Sequence, residues 1–296
     1  MRDAFCDVHP LVNLVYFAVV LLFSMFVMHP VFLALSLVAS VAYALCLTGG
    51  RGVRFCVRFT LPMLLLVLVV SPAFNHAGAT ILAYLPSGNP LTLESLLYGA
   101  ASACLMAAVL QWFACLTQVM TAEKFVYLFG RVIPSLSLVL SMTLRFVPQF
   151  RAQFRQVREA QRCIGRDMAN GRLLQRLRHA FRIFSIMLSR TMENAIETAD
   201  SMKGRGYGLP GRTAFSVYRF DKRDGWMLAG ILLAAAYVGA GCLSGTLTFW
   251  YFPTVGGALG GGYAVSVYAV YGGLCFFPTM WHVREARQWR LLRSNI

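Results

Sequence analysis

Arg205 stands between two glycines in the stretch Asp200-Ser201-Met202-Lys203-Gly204-Arg205-Gly206-Tyr207-Gly208. A guanidinium is a planar, permanently charged fork of N–H donors that suits a bidentate carboxylate. Glycines on both sides let a partner's backbone approach closely and leave the charge at a tip. Read locally, the same arginine caps the last carbonyls of a helix. Upstream, Arg151, Arg155, Arg158 and Arg162 recur at intervals of four, three and four, which places them along one helical face. Phe150, Phe154 and Val157 mark a neighbouring face, so this helix also suits the surface of an anionic membrane. Cys163-Ile164-Gly165-Arg166 reads as its end, with Gly165 as a left-handed cap.

Catalysis has little to work with. Outside the arginine-rich stretch the acids are Asp3, Asp7, Glu94, Glu123 and Glu285, all at predicted ends or loops. A membrane-embedded enzyme needs paired carboxylates or histidines at bilayer depth, and a stand-alone carrier or channel needs ionisable groups in broken spans. His76 beside Asn75 is the one polar pair of note, and it reads as a turn. The eight cysteines form no CxxC pair, which argues against a zinc site or a disulfide framework. The chain has no GxxxxGK[ST] phosphate loop, so any ATP has to be hydrolysed elsewhere. No catalytic residue, metal site or cofactor is expected. Few aromatics punctuate the arginines, and nucleic acid is not expected as a partner.

The elements that position these residues follow from composition. Of 296 residues 58% are hydrophobic and 13% charged, against about 25% charged in a soluble domain. The chain reads as an all-α polytopic membrane protein. Apolar runs at Leu11–Met28, Val31–Leu47, Phe59–Val70, Ser95–Met120, Trp226–Leu247 and Gly262–Trp281 predict about six transmembrane helices. The first run continues too long for a signal core, so no cleavable signal peptide is expected. Between Arg145 and Asp224 lie 17 of the 27 basic residues against seven acids, a net +10 of the total +15. Positive charge near spans marks the cytoplasmic side. Arg2, the 51–58 loop, the 145–224 stretch and the tail from His282 are therefore expected inside, and loops 29–30, 71–94 and 248–261 outside. Both termini are then cytoplasmic. The division is 1–120 with four spans, 121–224 as a cytoplasmic domain with amphipathic or interfacial helices, and 225–296 with two spans and a basic tail. Ile133–Val147 lies between residues that belong inside, so it is read as a buried or interfacial helix leading into that domain. A short helix is expected from about Arg172, after the turn signal Asn170-Gly171, and a separate one from Phe181 to Lys203. In the latter, Phe181, Phe184, Leu188, Met192, Ala195, Ala199 and Met202 repeat at three and four residues, running from bulky to small as a close helix crossing requires. Glu193, Glu197 and Asp200 occupy its other side, in reach of arginines.

Ala160-Gln161, Gly165 and Asp167, followed by Ser201 to Tyr207 and Arg212-Thr213, resemble the two motif regions of the transmembrane T component of energy-coupling factor (ECF) transporters. Thr121-Ala122-Glu123-Lys124, Arg145-Phe146-Val147-Pro148 and Pro72-Ala73-Phe74-Asn75-His76-Ala77-Gly78 strengthen the match, which covers nearly the whole chain. The resemblance implies an assembly in a bacterial or archaeal plasma membrane. Two ABC-type ATPases lie below it, and a membrane-embedded S component binds a vitamin or metal ion. It also implies two crossed coupling helices, each ending in an Arg-centred triplet, often Ala-Arg-Gly, that docks on one ATPase. Carried over, the second triplet is Gly204-Arg205-Gly206, with Arg205 binding a carboxylate. The first is Cys163-Ile164-Gly165, where Ile164 replaces the usual arginine and Arg162, Arg166 or apolar contact has to serve instead. That asymmetry implies two different ATPase chains.

Overall fold

Proline, glycine and short polar side chains set where each helix begins and ends. The computed structural model describes residues 4–84, 90–166, 173–207, 209, 218–257 and 260–294. In α1 (Pro10–Phe26) Pro10 takes the first position, and His9 Nδ1 accepts the Leu11 amide at 3.2 Å. Pro30 likewise opens α2 (Pro30–Thr48). Gly49, at φ 56°, turns the chain into α3 (Gly50–Phe55), which passes through one π turn, Cys56–Thr60, into α4 (Leu61–Phe74). A short antiparallel hairpin, β1 (Ile81–Tyr84) with β2 (Pro90–Thr92), leads to α5 (Leu93–Val119). The Thr92 hydroxyl caps α5 by accepting the Ser95 amide at 3.3 Å. α6 (Ala122–Val132), α7 (Pro134–Cys163) and α8 (Leu173–Gly204) follow. A capping box of Asp221 and Asp224 starts α9 (Lys222–Leu243). A second small hairpin, β3 (Phe249–Trp250) with β4 (Gly256–Gly257), precedes α10 (Gly262–Ser294).

Among the described residues five helical stretches are long and apolar enough to cross a membrane: Pro30–Thr48, Gly52–Phe74, Leu93–Val119, Lys222–Leu243 and Gly262–Gln288. α1 is also apolar but has 17 residues, about 25 Å of rise against a hydrocarbon core of about 30 Å. These helices belong to one compact unit, Met1–Thr121 with Tyr218–Ile296, whereas α6, α7 and α8 make up a second, Ala122–Val217.

Aromatic rings fill the core of the first unit. Phe5 meets Tyr16 edge-on at 5.2 Å, Tyr16 and Phe17 both meet Trp112, and Phe32 stacks on Tyr271 at 4.2 Å. Several buried polar groups find partners across helices, where the bilayer offers none. Trp112 Nε1 donates to Ser36 Oγ at 3.0 Å, and Thr60 Oγ1 to Gln111 Oε1 at 3.1 Å. Pro278 has no N–H for the Leu274 carbonyl four residues before it. The Tyr16 hydroxyl takes that place, donating to the Leu274 carbonyl at 3.2 Å and to that of Cys275 at 3.3 Å.

Several boundaries differ from the sequence expectation. The 51–58 segment, expected as a loop, is helical and joins the third span. The expected loop 71–94 holds the last turn of α4 and a hairpin clamped to α5. There Thr80 donates its amide and hydroxyl to the Glu94 carboxylate, Thr92 Oγ1 donates to the Ala77 carbonyl at 2.8 Å, and Ser95 Oγ donates to that of Asn75. Gly78 sits at φ +146°, where a Cβ would stand 2.6 Å from Glu94 Oε2. Ile133–Val147 is not a separate buried helix. Ile133 precedes α7 as its N-cap, and Pro134 to Val147 form the first half of that 30-residue helix, continuous through Pro148, with Leu136, Val139 and Leu140 exposed. The two helices expected between Arg172 and Lys203 are one, α8, of 32 residues.

Candidate docking site

α7 and α8 end in the same way. At the end of α7 the Gly165 amide donates to the Arg162 carbonyl and the Arg166 amide to that of Gln161, both at 2.9 Å. At the end of α8 the Gly206 amide donates to the Lys203 carbonyl at 3.0 Å and the Tyr207 amide to that of Met202 at 3.1 Å. Gly165 and Gly206 share φ 76°. Each is the pair of reverse bonds around a left-handed glycine that defines a Schellman cap. A Cβ is disfavoured in that conformation by roughly 1–2 kcal/mol, which is why glycine stands there.

Superposing the two caps residue by residue puts Ile164 on Arg205, Cys163 on Gly204 and Arg166 on Tyr207. Ile164 is 64% exposed, and Arg205 is exposed with no ion pair among the described residues. Gly204 is helical, and a Cβ there would meet nothing within 4 Å, so its small size answers no need within the chain. One tip thus presents a cation and the other an apolar side chain, from the same backbone position. Arg151, Arg155 and Arg158 are exposed along α7, and Arg166 directly follows its cap. Asp200 pairs with Lys203 at 3.9 Å rather than with an arginine, whereas Glu193 and Glu197 meet no cation among the described residues. Asp167, Asn170-Gly171 and Arg212-Thr213 lie outside the described residues.

α7 and α8 pack against each other. A crevice of about 190 Å³ between them is lined by Phe146, Gln149, Phe150 and Gln153 of α7 and by Thr191, Asn194 and Ala195 of α8. Ile183 (1% exposed) is the buried position of α8, and Ala180, Met187, Thr191, Asn194, Thr198 and Met202 continue a half-buried row from it, with His179 and Ile186 half-buried at its edge. This row lies one residue, about 100°, round the helix from the apolar stripe read in the sequence. Of that stripe, Ala195 lines the crevice and Met202 is half-buried. Phe181 (70%), Phe184 (62%), Leu188 and Met192 are exposed, as is Ala199. Sequence reasoning missed the row through Thr191, Asn194 and Thr198 because its residues are polar. Their spacing of three and four was the available signal. Thr191 and Thr198 direct their hydroxyls to the carbonyls of Leu188 and Asn194 in their own helix. Among the described residues no side-chain hydrogen bond links this row to α7.

The profile of the CbiQ family, described as cobalt transport protein, matches residues 6–215. The chain belongs to the CbiQ family. The match runs from α1 through both capped tips. Among curated relatives, the chain is similar to "Energy-coupling factor transporter transmembrane protein EcfT" of Bacillus selenitireducens, at 28% identity over 64% of this chain and 72% of that one. The proteins of the same name from Lacticaseibacillus paracasei and Lactobacillus helveticus are each 33% identical over 102 residues. Those alignments cover 34% of this chain and 38% and 37% of the relatives, so it spans little more than a third of their length. As a CbiQ-family chain with five helices among the described residues long and apolar enough to cross a membrane, it is a multi-pass membrane protein.

Proposed function

We propose that this chain is the transmembrane coupling subunit of an ECF-type ABC importer and is not itself a catalyst. It passes the motion of two ATPases to a membrane-embedded S component that carries a vitamin or metal ion. The observation that supports this best is the pair of identically capped tips, one bearing Arg205 and the other Ile164. A coupling subunit needs two rigid levers with exposed ends, and α7 and α8 are about 45 and 48 Å long from their 30 and 32 residues. Arg205 docks on a carboxylate of one ATPase. Ile164 enters an apolar site on the other, with Arg162 and Arg166 beside it, so the two ATPases are different chains. The exposed row Phe181, Phe184, Leu188 and Met192 is the surface for the S component. Such an apolar row asks for few specific polar contacts and lets a partner rock against it. The division of the chain at 121 and 224, with the arginine-rich part and both termini in the cytoplasm of a bacterial or archaeal cell, belongs to the same proposal.

The test is affinity purification of the tagged protein from its native membrane, with Arg205→Glu alongside. Two distinct ATP-binding cassette proteins and a small membrane partner are expected with the wild type, and the charge reversal should strip one ATPase. Recovery of a single ATPase type would overturn the claim of different chains. Recovery of none in mild detergent would overturn the coupling role and favour a stand-alone carrier or channel.

A further inference from the structure

The turn and helix after α2 carry Arg51, Arg54 and Arg58, and no acidic residue occurs between Asp7 and Glu94. Arg54 and Arg58 are exposed and form no ion pair among the described residues. The end of α2, Gly52 and Phe55 of α3 and the last two turns of α5 border a groove of about 640 Å³. Leu47, Phe55, Leu110, Phe113 and Ala114 supply most of its wall, with Gln118 from the last turn of α5. Its other polar side chains are already engaged. Thr48 and Thr117 donate to the carbonyls of Ala44 at 2.7 Å and Ala114 at 2.9 Å, and Gln111 accepts from Thr60. From Leu110 to Gln118 the groove follows α5 for about 12 Å, close to the depth of one leaflet in a core of about 30 Å.

We infer that this groove binds one anionic phospholipid, with an acyl chain between α2, α3 and α5 and the phosphate on Arg54 and Arg58. The charge decides the occupant. An apolar slot alone accepts any lipid or helix, but Arg54 and Arg58, exposed on the segment that supplies Gly52 and Phe55 to its wall and with no acid nearby in the sequence, select a phosphate that carries net negative charge. Arg58 lies on the π turn, deeper than Arg54, and an arginine at such depth lays its methylene stem along apolar surface and lifts its head to the interface. Both forks then converge on one headgroup layer, and Gln118 adds an amide donor. This site is independent of the coupling role.

The full chain in phosphatidylcholine vesicles, doped with phosphatidylglycerol bearing a photoreactive acyl chain, tests it by peptide mapping after illumination. Label is expected on residues 110–118, well above that from phosphatidylcholine bearing the same probe. Each arginine near an anionic surface is worth about fivefold. The double variant Arg54→Gln/Arg58→Gln should therefore lower labelling by phosphatidylglycerol about 25-fold, towards the phosphatidylcholine level. Ala114→Phe should block both lipids by filling the slot while leaving the arginines in place. Equal labelling by the two lipids, or an unchanged preference in the double arginine variant, overturns the proposal. So does absence of label on 110–118 from either lipid, the pattern of a groove covered by protein.

Discussion

The two glycines around Arg205 are chemically identical, and the structure separates their roles. Gly206 sits at φ 76°, and a Cβ there would also press within 3.2 Å of Leu209 Cδ1. Gly206→Ala should cost roughly 1–2 kcal/mol in the left-handed cap, and with it the bonds from Gly206 and Tyr207 back to Lys203 and Met202. If docking needs Arg205 presented from an intact cap, re-forming it on binding weakens the ATPase complex by about 5- to 30-fold. Gly204 is helical with open space around it, so Gly204→Ala should stabilise the end of α8 by up to about 1 kcal/mol and leave docking unchanged. Amide exchange over residues 201–207 of the purified chain reads the first quantity, and titration with the purified ATPase pair reads the second. Protection should rank Gly204→Ala above wild type above Gly206→Ala, while affinity falls only for Gly206→Ala. Equal affinity for all three proteins, or equal loss in both variants, would refute the idea that cap geometry aims the arginine.

Ile164→Asp should release the ATPase that Arg205 does not hold, whereas Ile164→Arg should bind the Arg205-type ATPase at both tips; quantitative mass spectrometry of purified complexes measures the ratio. Leu188→Glu on the exposed row of α8 should strip the S component from the assembly yet change the unfolding free energy of the isolated chain by no more than about 0.5 kcal/mol, since the side chain packs on little of its own protein. Tyr16→Phe should destabilise the membrane unit by about 1 kcal/mol in detergent unfolding, because the Leu274 carbonyl then loses the donor that Pro278 cannot supply. Pro278→Ala in the same background should restore most of that loss by returning the helical N–H.

The apolar runs and the cap at Gly165 were legible in the sequence because each has a short-range cause: enough consecutive apolar residues to span a bilayer, and a glycine where only φ > 0 continues the chain; the matching cap at Gly206 was not read there. Helix ends set by hydrogen bonds rather than hydropathy were not. The last span was expected to stop at Trp281, where polarity rises, but no glycine or proline follows Pro278 to end α10 before Ser294. In the same way the change from an arginine-rich to an apolar pattern near Phe181 suggested a break in α8, although nothing between Leu173 and Gly204 interrupts a helical ladder.

The most instructive difference is the rotation of α8. Hydrophobic periodicity marks a face that some environment covers, and it carries no information about whether that cover comes from the same chain. In α8 the chain buries Ile183 and turns the polar row through Thr191, Asn194 and Thr198 inward, while Phe181, Phe184, Leu188 and Met192 stand out. Burying a full Phe or Leu side chain is worth about 1.5–3 kcal/mol, so four such residues left uncovered forgo on the order of 6–12 kcal/mol. A fold stable without that contribution has it available for association, where much of it is offset by the cost of immobilising a partner. The polar row complements this. Among the described residues no side-chain hydrogen bond ties this row to α7, so under the proposed coupling role the crossing can shift while the apolar row holds its partner. On this reasoning, replacing Thr191 and Asn194 by Leu should tighten the isolated chain and slow transport, an outcome opposite to that of weakening the exposed row.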